Sequence, residues 1–514
     1  MKKILAWLLI IVIFLSLVSC NNGDNGIKET NLHVPGEGVE GHTDDNLDEY
    51  CDECGLPVVT TFDFYAINDL HGKFAESSNT VGVEGLSTYL KASAALDDNP
   101  IFLSSGDMWQ GGAHSNLTKG LIVTDWMNEM GFASMTLGNH EFDWGEDDVI
   151  KNAELAEFPM LAINIYERDT NKQVDYCESS VIVECNGLQV GIIGAIGDNY
   201  SSISSDQVED IYFKTGRELT SLVKAESERL RDEGADIIVY SLHDGYGQSL
   251  SEGTISNSAL ASYYDISLSD GYVDIVFEGH THRGYTLRDS YGVYHLQNSG
   301  DNGGITHAEI KYNFANDTYE VTQAEHVSAN RYSNLDEDAI VDEMLEKYKE
   351  QVAKADEVLG VNNTSLNSDA LRTILAKLYF EVGEEHFGDK YDIVLGGGFM
   401  TVRSPNYLRS GTLTYADVES ILPFENQLVL CSLSGKSLVN RFLKTSNDNY
   451  FIYCGEYGNS VKNKINYNAT YYIFTDTYTA LYAPNNLTIV ERYDADVFAR
   501  DLLAEYIKGG NLSK

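Results

Sequence analysis

Basic residues are scarce in this sequence of 514 residues, which has 35 lysines and arginines against 79 aspartates and glutamates. The formal net charge of −44 makes the surface repel polyphosphate backbones, which argues against DNA or RNA polymers as partners. A small anionic substrate stays compatible with this charge if metal ions or a few arginines bind it locally. Internal repeats are also absent, so the chain is not expected to be a repeat protein.

Long hydrophobic runs are confined to the N-terminus, where residues 4–17 are almost continuously apolar after a basic Met-Lys-Lys start. This run is too short for a comfortable membrane span and predicts a signal peptide over residues 1–20. Its ending, Leu-Val-Ser-Cys20, resembles the lipobox of bacterial lipoproteins, which implies that Cys20 is lipidated and becomes the mature N-terminus. We therefore expect an extracytoplasmic protein, lipid-anchored to the cell membrane or envelope. The alternative is an ordinary signal peptide with a chance cysteine.

Residues 21–60 have no hydrophobic period and are rich in Gly and Asp, which predicts a flexible spacer. Within the spacer, His42 precedes a Cys51-x-x-Cys54 pair. This cluster could bind a metal ion, but a fourth ligand is not evident, so we favour a small local disulfide or unpaired thiols. Cys177 and Cys185 are expected on one extended stretch about 25 Å apart, too far to bridge.

From residue 61 onward, buried strands alternate with helices. Short runs of β-branched, aromatic and apolar residues predict strands at 61–67, 100–104, 134–137, 189–194, 236–242 and 274–278. Helices are expected between them, at 84–96 and 218–233 for example, so this part is an α/β domain with a largely buried sheet. The chain is too long for a single core. We predict this domain over 61–336, a linker helix over 337–356 and a smaller α/β domain over 357–514.

Five short polar motifs follow predicted strands, where ligand sites of α/β sheets gather. They are Asn68-Asp69-Leu70-His71-Gly72, Gly106-Asp107, Gly138-Asn139-His140-Glu141, Leu242-His243-Asp244 and Gly279-His280-Thr281-His282. Each motif is weak alone, since a single Asp-x-His or Gly-Asp is more often a turn. Together they supply seven Asp, His and Asn donors, which suit Zn, Mn or Fe and are too many for one ion. Two ions sharing a carboxylate would bind a phosphoryl oxygen and generate a hydroxide nucleophile.

The order of these motifs resembles that of the calcineurin-like metallophosphoesterases, and the longer forms Gly138-Asn139-His140-Glu141-Phe142-Asp143 and Gly106-Asp107-Met108-Trp109-Gln110-Gly111 resemble the bacterial 5′-nucleotidase branch. The resemblance implies a β-sandwich flanked by helices for the first domain. It also implies that Asp69, His71 and His282 hold one divalent metal ion, that Asn139, His243 and His280 hold a second, and that Asp107 bridges them.

By the same resemblance, His140 is a catalytic residue that stabilises the transition-state phosphate or the leaving group. Asp143 would orient His140, because a carboxylate fixes the imidazole tautomer and favours its protonated form. The alternative for Asp143 is a helix N-terminal cap before Trp144-Gly145-Glu146.

The second region resembles the C-terminal domain of nucleotidases, which supplies substrate specificity. Leu422-Pro423-Phe424-Glu425-Asn426 carries this resemblance, which implies that Phe424 stacks on a base, that Asn426 hydrogen-bonds it and that Tyr478 is the opposing aromatic wall. The alternative for Phe424 is a core aromatic after a proline turn.

The second region departs from the family pattern at its arginines. The family usually has an arginine close behind its Gly-Gly-Gly, but here four residues, 399–402, separate the glycines of 396–398 from Arg403. The family also has an arginine in the segment that corresponds to 366–369, where this chain has none, and the next arginine is Arg372. The expected Gly-Gly-Asp-x-Tyr is here Leu-Tyr-Ala-Pro at 481–484. Arg403 and Arg409 remain the best phosphate-binding candidates.

These patterns predict a metal-dependent phosphoesterase that hydrolyses nucleoside 5′-monophosphates outside the cytoplasm, with 2′,3′-cyclic nucleotides as second candidate substrates. The first alternative is a phosphoesterase with a non-nucleotide substrate, which the altered arginine pattern would explain. The second is a surface ligand-binding lipoprotein with vestigial catalysis. The presence of all seven donors, of His140 and of Asp143 argues against that alternative.

Overall fold

The computed structural model describes residues 43–52, 55, 57–75, 81–96, 100–399, 402–403, 406–443, 451–455, 465–481 and 487–512. The predicted signal peptide, the lipidation of Cys20, most of the spacer, and His42 and Cys54 lie outside these residues. Within the described ranges, no helix is both long enough and apolar enough to cross a bilayer.

Strands dominate the part of the chain before residue 330. They are β1 (Val59–Ile67), β2 (Ile101–Ser104), β3 (Ser134–Thr136), β4 (Met160–Leu161), β5 (Ile165–Glu167), β6 (Ser180–Cys185), β7 (Leu188–Ile196), β8 (Ile211–Phe213), β9 (Ile237–His243), β10 (Glu252–Thr254), β11 (Ile275–Glu278), β12 (Tyr285–Arg288), β13 (Tyr294–Gln297), β14 (Gly304–Asn313) and β15 (Thr318–Ser328). The α-helices between them are α1 (Glu84–Leu96), α2 (Ala113–Leu117), α3 (Leu121–Met130), α4 (Glu146–Leu155), α5 (Arg217–Asp232) and α6 (Asn257–Leu260). Short 3-10 turns occupy His140–Phe142, Asp198–Ser202, Ile266–Ser269 and Ala329–Arg331.

Thirteen of these strands form two large sheets that pack face to face, and β5 and β8 pair separately. The first has the order β15-β14-β1-β2-β3-β4 and the second the order β10-β12-β13-β11-β9-β7-β6. Side chains alternate along β1, so Phe62, Phe64 and Ala66 enter the core between the sheets, whereas Tyr65 and Ile67 face the helices outside. The six strands and two helices predicted for this part are all present, with ends within two residues of the expected ones.

Helices cover the outer faces of both sheets. Leu86 of α1 and Trp126 of α3 pack on the first sheet, and Val223 and Leu230 of α5 pack on the second. The central strands β1 to β4 of the first sheet run parallel, as do β7, β9, β11 and β13 of the second. This arrangement of sheets and helices confirms the predicted mixed α/β sandwich. The parallel direction of the central strands brings their carboxyl ends to one edge.

The part of the chain after residue 357 has its own five-stranded sheet of order β22-β18-β23-β21-β24. The strands of this part are β16 (Val358–Asn362), β17 (Leu366–Asn367), β18 (Ile393–Gly398), β19 (Tyr407–Leu408), β20 (Gly411–Thr414), β21 (Leu428–Ser434), β22 (Ile452–Gly455), β23 (Thr470–Asp476) and β24 (Thr488–Arg492), of which β16 pairs with β20 and β17 with β19 outside the five-stranded sheet. Its helices are α9 (Ser368–Phe387), α10 (Tyr415–Ile421), α11 (Gly435–Ser437), continued by a π-turn at Leu438–Phe442, α12 (Thr477–Leu481) and α13 (Ala499–Lys508). Leu430 packs towards α9 and Val429 towards the π-turn, so both faces of this sheet are buried.

The segment 337–356 is not the single connecting helix that the sequence suggested. It forms two helices, α7 (Ala339–Lys347) and α8 (Lys349–Val352), separated at Tyr348. The Tyr348 hydroxyl donates to Asp125 Oδ2 at 3.2 Å, and Lys347 forms an ion pair with the same carboxylate. The break allows the Tyr348 side chain to remain buried against α3.

The cysteines correct a second expectation. Cys185 ends β6, but Cys177 lies in the turn before this strand and donates a hydrogen bond to the Ala162 carbonyl. Cys177, Cys431 and Cys454 are free thiols.

Candidate metal centre

All five polar motifs leave the carboxyl ends of β1, β2, β3, β9 and β11, so they meet at one edge of the sandwich. The first two loops are joined by backbone hydrogen bonds, from Asp69 N to the Gly106 carbonyl at 2.8 Å and from His71 N to the Asp107 carbonyl at 3.0 Å. These bonds fix the two metal-ligand candidates of the first loop relative to that of the second.

Asp69, His71 and His282 form the first cluster of candidate metal ligands, with one ligand atom from each inside a mutual distance of 4.8 Å. His71 Nε2 lies 2.9 Å from His282 Nε2, and His282 Nε2 lies 3.3 Å from Asp69 Oδ1. Asp69 and His71 are buried, whereas His282 keeps some exposure. The three side chains therefore aim their donor atoms at a common point.

Asp107, His243 and His280 form the second cluster, again within 4.8 Å. Asp107 Oδ2 lies 3.1 Å from His243 Nε2. Asn139 joins this cluster, because its Oδ1 lies 3.0 Å from His280 Nδ1 and 3.3 Å from His243 Nε2. All seven residues that the sequence suggested as ligands thus fall into two adjoining groups.

The remote ring nitrogens of two histidines are fixed by backbone carbonyls. His71 Nδ1 lies 2.9 Å from the Gln110 carbonyl, and His243 Nδ1 lies 2.7 Å from the Ser105 carbonyl. A carbonyl accepts only from N–H, so each ring holds its proton on Nδ1 and presents Nε2 as a lone-pair donor. This tautomer is the one that a metal ligand requires.

Two glycines explain why the motifs begin as they do. A Cβ at Gly106 would lie 2.6 Å from His243 Nδ1, and a Cβ at Gly138 would lie 2.4 Å from Asp107 Oδ1. A side chain at either position would displace a candidate ligand, so the Gly-Asp and Gly-Asn spacings reflect close approach of the loops.

Several of the candidate ligands adopt a left-handed backbone that residues other than glycine rarely adopt. Positive φ angles occur at Asp69 (51°), His71 (50°), Asp107 (55°), His280 (71°) and His282 (53°). Such conformations cluster at functional sites, where the surrounding structure holds them in place.

Two buried carboxylates among the candidate ligands favour the binding of a cation. Burial opposes ionisation of Asp107, but the imidazoles of His243 and His140 outweigh it and hold the pKa of this carboxyl well below its usual range. Asp69 is also fully buried, and its Oδ1 accepts no hydrogen bond within the described part of the chain. Buried carboxylates need a compensating charge, and a carboxylate, imidazole and amide donor set fits Zn, Mn or Fe.

His140 lies beside the first cluster without joining it. Its Nδ1 is 2.8 Å from Asp143 Oδ2, and its ring centroid is 5.2 Å from that of His71. Burial lowers the pKa of His140, but the carboxylates of Asp143 and Asp107 outweigh this effect, so the net pKa is raised. Asp143 is not the N-cap of α4, a position that Gly145 takes instead.

The second part of the chain contributes two side chains to this edge. Arg403 Nη2 lies 3.2 Å from His71 Nε2, and the Arg403 guanidinium lies 5.5 Å from the centre of the Phe424 ring. The Phe424 ring is in turn 5.8 Å from that of His140. Asn116 and Lys119 of the first part hold this arrangement, through an Asn116 Nδ2 hydrogen bond to Glu419 at 3.0 Å and a Lys119 ion pair with Glu425 at 2.7 Å.

The other candidate substrate residues are placed differently. The Arg409 guanidinium forms a bidentate ion pair with Asp417 at 2.8 and 2.9 Å, so the arginine expected to bind phosphate has a partner within its own region. Asn426 is half-buried two residues after Phe424, and Tyr478 is exposed at the start of α12.

Asp301 is a site residue that the sequence did not single out. Its Oδ2 lies 3.7 Å from His282 Nδ1, and its backbone N–H donates to the Asp69 carbonyl at 2.6 Å. It follows β13, whose carboxyl end lies at the same edge, so the strand-end position was the available signal. Lys73 is 3.9 Å from the same side chain and balances its charge.

Comparison with known proteins shows which proteins this chain resembles. Residues 62–284 match the family model for calcineurin-like phosphoesterases. The chain is 27% identical over 434 residues to an apyrase from Tabanus yao, covering 76% of this chain and 73% of the apyrase. It is 24% identical over 425 residues to a 5′-nucleotidase from Vibrio vulnificus, covering 73% of each chain.

A solved structure shares most of the fold. A 5′-nucleotidase precursor from Thermus thermophilus superposes with a TM-score of 0.65 at 19% identity, covering 88% of this chain and 96% of the other. The likeness therefore extends beyond the first two sheets into the second part of the chain.

Proposed function

We propose that this chain hydrolyses nucleoside phosphates at a dinuclear metal centre. Its residues 62–284 match the calcineurin-like phosphoesterases, and the chain is a metal-dependent hydrolase. Nucleoside 5′-monophosphates are the proposed substrates. The observation that carries the proposal is that Phe424 and Arg403, from the part of the chain after residue 357, lie beside the candidate metal ligands. Relatives named 5′-nucleotidase and apyrase, matched over about three quarters of this chain, support the same substrate class.

In this proposal the two clusters hold two divalent ions. Asp69, His71 and His282 would bind one ion, and the second would be bound by Asn139, His243 and His280, with Asp107 between them. When bound, such ions neutralise phosphoryl oxygens and lower the pKa of an attacking water.

His140 would act on the substrate directly. Asp143 accepts a hydrogen bond from His140 Nδ1–H and favours the protonated ring, whose Nε2–H would donate a hydrogen bond to a phosphoryl or leaving-group oxygen. Because the ring is held between the first cluster and the Phe424 ring, it faces the space that a phosphate beside the metal ligands would occupy. Donors held in place where negative charge develops are a large source of rate enhancement.

Arg403 and Phe424 would define the substrate. A guanidinium pairs well with phosphate oxygens, and a phenyl ring offers a stacking surface to any base. Asn426, two residues beyond Phe424, is the proposed hydrogen-bond partner of the base, and Tyr478 the opposing wall. The proposed domain division at 61–336, 337–356 and 357–514 assigns metal chemistry to the first domain and specificity to the last.

A hydrolysis panel tests the proposal. AMP, GMP, ATP, 2′,3′-cyclic AMP and p-nitrophenyl phosphate are compared at saturating Mn, Zn and Co, with Asp107→Asn as background. The proposal expects kcat/KM for a nucleoside monophosphate at least tenfold above that for p-nitrophenyl phosphate. Equal values would favour a non-nucleotide phosphoesterase. Nucleotide binding without turnover would favour the ligand-binding alternative.

The proposed location is extracytoplasmic, with a lipid on Cys20. A fatty-acid probe supplied to expressing cells should label the protein, and Cys20→Ala should abolish the label and release the protein from the membrane fraction. Unchanged labelling of Cys20→Ala would reject the anchor.

A further inference from the structure

Glu141 is a fully buried carboxylate that joins two of the metal-ligand loops. Its Oε2 accepts hydrogen bonds from Asp107 N at 2.9 Å and Gly138 N at 2.7 Å. Its Oε1 accepts from Met108 N at 2.9 Å and Trp109 N at 3.4 Å. One side chain thus binds four backbone N–H groups, three in the loop after β2 and one in the loop after β3.

The backbone explains why an anion fits at this point. The left-handed φ of 55° at Asp107 turns the N–H groups of 107, 108 and 109 towards one centre. Successive N–H groups arranged in this way form a concave anion site. Here the anion is the side chain of Glu141 and not a ligand from solution, so the four N–H groups are paired inside the protein, as buried N–H groups almost always are.

The contact between the two loops is reciprocal. While Glu141 accepts from the Asp107 N–H, Asp107 Oδ1 accepts from the His140 N–H at 2.8 Å. Its other oxygen, Oδ2, remains directed at His243 Nε2, 3.1 Å away. The orientation of the proposed bridging ligand is therefore set by a pair of carboxylate–amide contacts, of which Glu141 makes one.

We propose that Glu141 is a positioning residue for the metal centre, whose carboxylate fixes Asp107 against Asn139 and His140. The inference rests on the ligand roles proposed above for Asp107 and Asn139 and does not depend on the substrate. It assigns to Glu141 a contribution to metal affinity that acts through the backbone, since none of its oxygens belongs to either ligand cluster.

A buried carboxylate elsewhere in the domain supplies a matched control. Asp274, before β11, is 7% exposed, and its Oδ2 accepts from Ile238 N at 2.6 Å and from Arg231 Nη2 at 2.5 Å. It lies at the amino end of β11, whereas the ligand loop leaves the carboxyl end of that strand. Asp274→Asn should therefore cost stability and leave metal affinity unchanged.

The test compares Glu141→Gln with Asp274→Asn and the parent protein. Zn²⁺ and Mn²⁺ affinities are measured by competition with a chelating dye, and thermal unfolding is recorded with and without metal. The amide introduced by Glu141→Gln keeps one acceptor and turns an NH₂ group towards N–H donors, so we expect metal affinity to fall about 10- to 100-fold, as for other residues that orient ligands. The rise of Tm on adding metal should shrink accordingly.

Unchanged metal affinity in Glu141→Gln, with a loss of Tm like that of Asp274→Asn, would overturn the inference and leave Glu141 a purely structural residue. If Glu141→Gln does not fold, Glu141→Asp takes its place, because it keeps the charge but is too short to reach both loops. Parental affinity in the folded Glu141→Asp variant would equally overturn it. Parental affinity in Asp107→Asn would instead contradict the ligand roles themselves.

Discussion

The Phe424 ring lies 5.8 Å from the His140 ring, and the two planes are inclined by 34°. Phe424 is held there by Arg500 of α13, whose Nη1 donates to the Pro423 and Phe424 carbonyls at 3.1 and 3.2 Å. Arg500 is buried and also contacts Glu425 at 2.9 Å. Phe424, from the part of the chain after residue 357, thus forms one wall of the space beside His140, the catalytic candidate in the part before residue 330.

Replacing Phe424 should affect nucleotides more than simple phosphates. Stacking is worth about 1–3 kcal/mol per base, so Phe424→Ala should raise the nucleotide KM about tenfold or more, with little change for p-nitrophenyl phosphate. Steady-state kinetics on both substrates and the Tm of the variant provide the measurement. Equal losses for both substrates, with a lowered Tm, would instead identify Phe424 as a packing residue.

Arg403 and Arg409 should behave differently, although both were candidates for binding phosphate. Arg403→Gln should raise the nucleotide KM about tenfold, the effect of losing one or two charge-assisted hydrogen bonds. Arg409→Gln breaks an ion pair with Asp417, so it should lower the Tm and leave KM near the parental value. An increase of KM confined to the Arg409 variant would reverse this assignment.

Asp107 should be the least replaceable metal ligand, because the proposed dinuclear centre shares it. Asp107→Asn should lower the bound metal and reduce turnover almost to background. Metal content by atomic emission, measured with kcat on the same sample, tests this. Full occupancy and an unchanged rate would reject the dinuclear assignment.

His140→Asn should separate catalysis from metal binding. The side chain lies beside His71 but outside both clusters, so metal content should stay intact while kcat falls by roughly 10²- to 10⁴-fold. Asp143→Ala should lower kcat less, because His140 remains present but is no longer oriented. Loss of metal from His140→Asn would make His140 a ligand and contradict its proposed role.

His307 should make the free energy of unfolding depend on pH. Burial lowers its pKa, but Asp63, whose Oδ1 lies 2.6 Å from His307 Nε2, and Glu325 outweigh burial and raise it. A raised pKa in the folded state means that this stability is fully present below about pH 6.5, the unfolded value, and is lost as pH rises through the folded pKa. His307→Gln should therefore destabilise the protein most at low pH. Urea unfolding from pH 5.5 to 9 measures this, and a pH-independent difference would contradict it.

The sequence predicted the strands and the ligand set because each motif combines a buried run with a polar strand end. Asp69 and His280 follow strands that are largely buried, and His243 ends such a strand, so these runs can be recognised without tertiary information. The sequence pattern could not predict side-chain contacts that depend on tertiary packing. Arg409 pairs with Asp417 of α10, on the far side of β20, and the helix break at Tyr348 depends on Asp125 of a distant helix.

Glu141 illustrates the same limit within a motif that was recognised. No role for Glu141 could be predicted from the sequence, because its four N–H partners lie on two loops whose approach depends on the pairing of β2 with β3. Asp301 was missed because its loop follows β13, which carries none of the ligand motifs.

The left-handed backbone of Asp69, His71, Asp107, His280 and His282 has a consequence for when the metal site is assembled. Each such residue costs about 1–2 kcal/mol relative to ordinary backbone, and that cost falls on folding, since the loops adopt these angles within a hydrogen-bonded sandwich. An arriving ion meets donors that are already preorganised, so little loop entropy is lost on binding. The strain instead lowers the free energy of unfolding of the metal-free protein. Because metal binding stabilises the folded state, this free energy should rise with the concentration of free metal ions.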